Sequence, residues 1–227
     1  MFPIVKQEFT SSFKSIKAIL LILFLTITSV FTASYLTRHP ELLAGVNQPS
    51  AYTSSIKFFI LFFGFLFVAA LSHDIINREI ETRTIRLLVT KTSRLRIVLE
   101  KFLGSLLFWC ATLTINFLIV SLYAQQWFWM DYLTVLIVIL YITSFNIFLS
   151  TMIAKPGLTM FLGIFLGIVV PIIGLWSAFS EKWYLVPFQY ILPYHSVIMS
   201  GTLLLLPVLW SGLFLTVSCL TLKRKDL

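Results

Sequence analysis

What most constrains the fold of this chain is six stretches, residues 18–36, 55–72, 102–123, 132–154, 158–180 and 202–222, that are apolar and almost free of charge. A helix needs about 20 mostly apolar residues to cross roughly 30 Å of hydrocarbon, where it satisfies its own backbone hydrogen bonds without water. Each stretch has about that length. The 227 residues are 59% apolar and 11% charged, against roughly 45–50% and 25% in soluble domains. A water-soluble fold has nowhere to bury that surface. The expected architecture is an all-α membrane protein, a single domain over residues 1–227 with six transmembrane helices. Lys57, near the outer end of the second stretch, is expected to snorkel to the interface. Lys155-Pro156-Gly157 reads as a tight turn between the fourth and fifth.

Basic residues set the orientation, because Lys and Arg gather in cytoplasmic loops. With the N-terminus inside, Lys6, Lys14, Lys17, Arg78, Arg83, Arg86, Lys91, Arg94, Arg96, Lys101, Lys155, Lys223, Arg224 and Lys225 all fall inside. Only Arg38, Lys57 and Lys182 fall outside. Both termini are therefore expected in the cytoplasm. The same bias accounts for the net charge of +8 without a nucleic-acid partner. Tyr123, Trp127, Trp129 and Tyr132 cluster between the third and fourth spans, as interfacial aromatics do around a short outer loop.

Ahead of the first span, Phe2, Val5, Phe9, Phe13 and Ile16 recur every three or four residues, and Lys6, Gln7, Thr10, Lys14 and Lys17 fill the opposite face. This pattern predicts an amphipathic helix lying on membrane lipid at the inner surface, in preference to a simple extension of the first span. The first apolar run has no small-residue cleavage site, so no removable signal peptide is expected.

The chain lacks the signatures of an enzyme. It has no Gly-x-x-x-x-Gly-Lys-Ser/Thr nucleotide loop, no His-Glu-x-x-His zinc pattern and no Gly-x-Ser-x-Gly nucleophile turn. No cofactor is expected. Cys110 and Cys219 lie in apolar runs, far from other metal ligands, and read as packing residues. All nine acidic residues lie outside the apolar cores, whereas a proton-driven carrier often keeps an ionisable group near the midplane. Asn116 and Asn146, inside spans, read as interhelical hydrogen-bonding groups. Uphill transport by such a chain would draw its energy from a partner.

The large charged feature is residues 73–101. Ile76, Ile80 and Leu87 or Leu88 fall near one helical face, with Arg78, Glu79, Glu81, Arg83 and Arg86 around the rest. Glu79 precedes Arg83 by four residues, the spacing of a helix-surface ion pair. Thr92 or Ser93 is placed to cap the helix that becomes the third span. On composition alone this is a solvated connector.

Its order resembles the first cytoplasmic loop of ATP-binding-cassette permeases of the type-2 exporter class. In that family a Glu-rich stretch is followed by Gly-Thr, a Leu-Leu pair, a Pro-x-Ser-Arg turn and a Gly-Lys. Glu79 and Glu81 match the acidic positions, Thr84 the threonine, Leu87 and Leu88 the pair, Ser93 and Arg94 the turn, and Lys101 the final lysine. Arg83 stands where glycine is usual and Lys91 where proline is usual. The amphipathic helix, the six spans and a proline-bearing segment 181–201 complete the likeness. That segment either is similar to the family's short outer helices that dip partway into the membrane or is an ordinary aromatic outer loop.

The resemblance implies a permease half in the plasma membrane, paired with a second copy or a related permease, above separate ATPase subunits. A coupling helix would lie around residues 75–88, with Ile76, Ile80 and Leu87 giving contact area and Glu79, Glu81, Arg83, Thr84 and Arg86 setting the docking register. Reversing Glu79 and Glu81 together is expected to release the ATPase. Phe62, Phe65, Asn116, Thr143 and Asn146 are candidates for a conduit lining, suited to a hydrophobic or amphipathic cargo such as an antimicrobial peptide, an antibiotic or a lipid. Two rivals stay open: a stand-alone carrier or channel, and a membrane scaffold or immunity protein that transports nothing.

Overall fold

The structure is a computed structural model that describes residues 3–39, 41, 51–85, 92–180, 182–199 and 201–224. Among the described residues six helices are long and apolar enough to cross a membrane, at the expected places. They are Ile16–Arg38, Ser54–Ser72, Arg94–Ala124, Trp129–Met152, Pro156–Phe179 and Leu205–Arg224, taken below as the first to sixth spans. The third begins eight residues before the expected start, because the charged turn ahead of the apolar run is already helical. Its start is fixed by Ser93, whose side chain accepts the Arg96 backbone N–H at 3.4 Å. Pro156 opens the fifth span, where its missing N–H costs no helical bond.

Between helices in lipid there is no hydrophobic driving force, so close backbone approach decides the packing. Gly163 and Gly167, four residues apart on the fifth span, face the second. A Cβ on Gly163 would lie 2.7 Å from Ala69 Cβ, and one on Gly167 2.6 Å from Leu66 Cδ2. Gly64 likewise admits Ile142 of the fourth span. Around these contacts Ile56, Ile60, Trp109, Leu113, Phe117, Ile139 and Ile142 form the main core with Leu21 and Leu25 of the first span.

The N-terminal helix, Pro3–Lys14, is a separate element. Ser15 has extended backbone (ψ 128°) and breaks it from the first span. It lies along the start of the third span, with Phe13 edge-on to Phe108 at 4.9 Å. Gly104 makes the approach possible, since a Cβ there would meet Glu8 Cβ at 2.7 Å and the Val5 carbonyl at 3.1 Å. Phe2 lies outside the described residues. This helix, the described residues of segment 73–93 and the end of the sixth span share one end of the bundle, termed here the loop end.

At the far end, Lys57 forms an ion pair with Asp131 at 2.5 Å, and Asp131 also accepts from Thr53. Lys57, expected to snorkel to the interface, thus has an anionic partner in Asp131. Trp127 packs against Trp129 and Tyr132, whose hydroxyl meets Thr114 at 2.9 Å. The segment after the fifth span forms a 3₁₀ turn, Trp183–Leu185, and two short helices, Val186–Ile191 and Pro193–Met199. These fold back into the bundle. Gln189 donates to the carbonyls of Ser177 and Ser180, and Tyr194, 1% exposed, lies against Gly174. The Tyr194 hydroxyl reaches the Leu61 carbonyl at 2.9 Å, about 10 Å along the second span from its start by helical rise. The described part of this segment is thus short helices packed on the bundle and not an extended loop.

Candidate functional site

The charged segment does not form one long helix. Among the described residues a helix runs over Asn77–Glu81, shorter than the one expected over 75–88, and ends at Thr82; Ile85 is again helical, and 86–88 lie outside the described residues. The residue after Thr82, Arg83, has φ 58°. A side chain in this left-handed region costs about 1–2 kcal/mol, a penalty glycine escapes. Arg83 is the position where the resembling family usually has glycine. The backbone shape is therefore the one glycine would give, held here with an arginine.

The base of this short helix is clamped by the fourth and fifth spans. The backbone N–H groups of Ile76 and Asn77 donate to Ser150 Oγ at 3.0 and 3.2 Å. The Asn77 side chain is fully buried; its Nδ2 donates to Thr159 Oγ1 at 2.6 Å, and its Oδ1 accepts from Ser150 Oγ at 3.3 Å. Asn146 Nδ2 donates to the Ser72 carbonyl at 2.7 Å, holding the last turn of the second span. Ile75, Ile76 and Ile85 pack with Val98, Phe102, Ile147 and Leu222 in a small apolar cluster of their own.

A second set of contacts joins the segment to the N-terminal helix through Lys101. This side chain is 2% exposed. Its Nζ bonds Glu8 of the N-terminal helix at 2.6 Å and Glu79 at 2.8 Å. The other Glu79 oxygen is buried without a hydrogen-bond partner. The neighbouring Glu100 pairs with Arg96 and accepts the Ile4 backbone N–H at 3.3 Å. It thereby serves one of the donors that every helix start leaves unsatisfied, and its charge suits the positive end of the helix. Arg94 does the converse, donating to the Leu222 and Lys223 carbonyls at 3.0 and 2.8 Å, where the sixth span ends. An open groove of about 600 Å³ separates the N-terminal helix from the segment, lined by Glu8, Ser12, Asp74, Arg78, Glu79 and Lys101 among others.

These contacts sort the expected docking residues. Ile76 is fully buried within the chain, so its apolar surface serves the bundle and offers no area to a partner. Ile80 is half-buried. Glu79 pairs with Lys101 and makes no ion pair with Arg83, because the helix ends before that turn completes. Glu81, Arg83 and Thr84 are exposed. Arg86 and Leu87 lie outside the described residues. Glu100, expected outside the apolar cores, is 1% exposed, though at the loop end of its span.

The conduit candidates are less gathered. Phe65, Asn116, Thr143 and Asn146 are buried between spans, while Phe62 is half-buried and stacks on Phe58. Asn146 bonds across helices, as expected of such a group, but Asn116 donates only to the Thr112 carbonyl of its own span. Its Oδ1 and the Thr143 hydroxyl have no partner.

Sequence reasoning passed over Asn77, Ser150 and Thr159, and it placed Glu8 only among the acidic residues outside the apolar cores. The signal for Asn77 was its place beside Ile75 and Ile76, which marks a polar residue drawn inward with apolar neighbours. Among the described residues no group of side chains is arranged to hold a metal ion. The site is a mechanical junction. One short helix is tied to the fourth and fifth spans at its base, to the third span and the N-terminal helix through Lys101, and presents Glu81, Arg83 and Thr84 outward.

Comparison with known families bears on what such a junction serves. The family model described as ABC-2 family transporter protein matches residues 2–227. Among curated proteins none matches the chain.

Proposed function

The chain belongs to the ABC-2 family of transporter proteins and is a membrane-embedded permease component, and from that premise we propose that it is the permease half of an ATP-driven exporter whose segment 73–93 docks on a separate ATPase. Permeases of this kind work in general with an ABC ATPase. The observation that carries the docking role is the division of labour in the segment. Its base is bonded inward, while Glu81, Arg83 and Thr84 are exposed at the end of its described part. A push on the tip is then delivered to the third, fourth and fifth spans and to the N-terminal helix together.

In this reading the protein sits in the cell membrane with the loop end and both termini in the cytoplasm, as the basic residues require. Two six-span chains, two copies or this one with a related permease, form the conduit. ATP-driven closure of the ATPases moves the spans and expels a hydrophobic or amphipathic cargo, of which an antimicrobial peptide, an antibiotic or a lipid is the expected kind. The N-terminal helix borders the lipid of the inner surface.

A tagged pull-down from detergent-solubilised native membranes tests this. We expect an ABC ATPase to co-purify and Glu81→Arg to weaken its retention. Recovery of the chain alone, able to move solute in liposomes without nucleotide, would refute the proposal in favour of a stand-alone carrier.

A further inference from the structure

The groove between the N-terminal helix and the charged segment continues into an apolar seam between the first two spans. Lys17, which lines the groove, shares a face of the first span with Leu20 and Phe24 at helical spacing. The Phe24 ring meets Phe67 of the second span at 6.2 Å, and Ala70, one turn on from Phe67, lines the groove again. Leu20 is 62% and Phe24 42% exposed, so the seam is open to hydrocarbon. Its end at the groove lies where the apolar run of the first span begins, at Ala18, and that of the second ends, at Ser72. That is the level of lipid headgroups.

The groove wall carries both signs of charge. Glu8 and Glu79 share the ammonium of Lys101, two carboxylates to one cation. Burial pushes the Glu79 carboxyl up from its ordinary value in spite of that ammonium. Asp74 lines the groove as well, 3.6 Å from Arg78, whose side chain is 73% exposed. Lys17 brings the opposite charge, with the hydroxyls of Ser12 and Ser15. We infer that the groove binds the headgroup of a phospholipid carrying a primary amine, its ammonium against Asp74 and Glu79, its phosphate on Lys17 and the serine hydroxyls, and an acyl chain along the seam. The volume of about 600 Å³ is that of a small-ligand site. An anionic headgroup would add negative charge beside three carboxylates, and a choline headgroup has no N–H to give them. A lipid held there would join the N-terminal helix, the first two spans and the charged segment. The site needs no ATPase, so it stands apart from the docking role.

The test is native mass spectrometry of the full chain released from nanodiscs that hold equal phosphatidylethanolamine and phosphatidylcholine. The unaltered chain is expected to retain phosphatidylethanolamine about tenfold over phosphatidylcholine, the ratio that one charge-assisted hydrogen bond supplies. Asp74→Asn is expected to bring that ratio close to one. Lys17→Gln is expected to lower retention of both lipids and keep the ratio, because both carry the phosphate. Equal retention of the two lipids by the unaltered chain overturns the assignment, and this arm needs no variant to fold. A preference that Asp74→Asn leaves intact places the lipid elsewhere and also overturns it. Displacement by added phosphatidylglycerol makes the ligand an anionic lipid, and displacement by soluble phosphoethanolamine at equal concentration makes it a soluble metabolite; either result overturns the assignment too.

Discussion

Removing the Lys101 ammonium should undock the N-terminal helix. Lys101 is buried and holds two carboxylates, Glu8 and Glu79, at 2.6 and 2.8 Å. Lys101→Met keeps the stem but leaves both anions facing each other. Breaking a buried ion pair by removing one partner costs about 3–5 kcal/mol. Here the carboxylate side chains are 24% and 25% exposed, so water relieves part of the penalty and we take the lower end, about 3 kcal/mol. Much of it falls on the docking of the N-terminal helix, whose tether to the loop is lost. Hydrogen exchange of the amides in Pro3–Lys14, measured in detergent micelles, should then accelerate by roughly 100-fold. Glu8→Gln and Glu79→Gln, which each leave Lys101 one anion, should cost about 1 kcal/mol apiece. The triple variant Lys101→Met/Glu8→Gln/Glu79→Gln removes every charge and should recover most of the protection, because a buried ion cluster is often replaceable by neutral groups. If Lys101→Met exchanges no faster than Glu8→Gln, the cluster does not hold the helix and the reasoning fails.

Two further outcomes follow from the same geometry. Gly104→Ala places a methyl 3.1 Å from the Val5 carbonyl and 2.7 Å from Glu8 Cβ, so it should shift the N-terminal helix and speed its exchange while leaving the six spans intact; unchanged exchange would show that the contact yields cheaply. Asn77→Ala removes the acceptor of Ser150 Oγ and the donor to Thr159, whose hydroxyl keeps its bond to the Lys155 carbonyl; it frees the base of the short helix at about 1–3 kcal/mol, and should leave ATPase binding near normal while transport falls sharply. Parallel loss of binding and transport would mean that Asn77 merely shapes the docking surface.

How far the sequence carried differed with the length scale of the physics involved. The spans were legible because hydrocarbon imposes one demand on every residue of a long run, so their locations needed no tertiary knowledge. Ser93 as a cap was legible for a similar reason, since its partner is the backbone N–H of Arg96, three residues on. The Glu79–Arg83 pair was a sound local expectation that lost to a distant competitor. The helix stops at Glu81, Arg83 turns into the left-handed region, and Lys101 arrives from the third span. The pairings of Glu8 and Asn77 were not legible because their partners lie 93 and 82 positions away in sequence. The resemblance did mark Lys101, without indicating that its role here is to gather two carboxylates.

The fifth span is fastened at two heights by unrelated contacts. Near its start Thr159 is bonded to Asn77, and near its far end Gly174 lies under the Tyr194 ring, which is itself anchored to Leu61. Between them stands Pro171, which has no N–H to give the Gly167 carbonyl. A rod pinned at both ends with one missing rung bends at that rung. In the proposed docking role, a displacement fed in at Thr159 would reach the far end as a change of angle, with the fifth span acting as a crank.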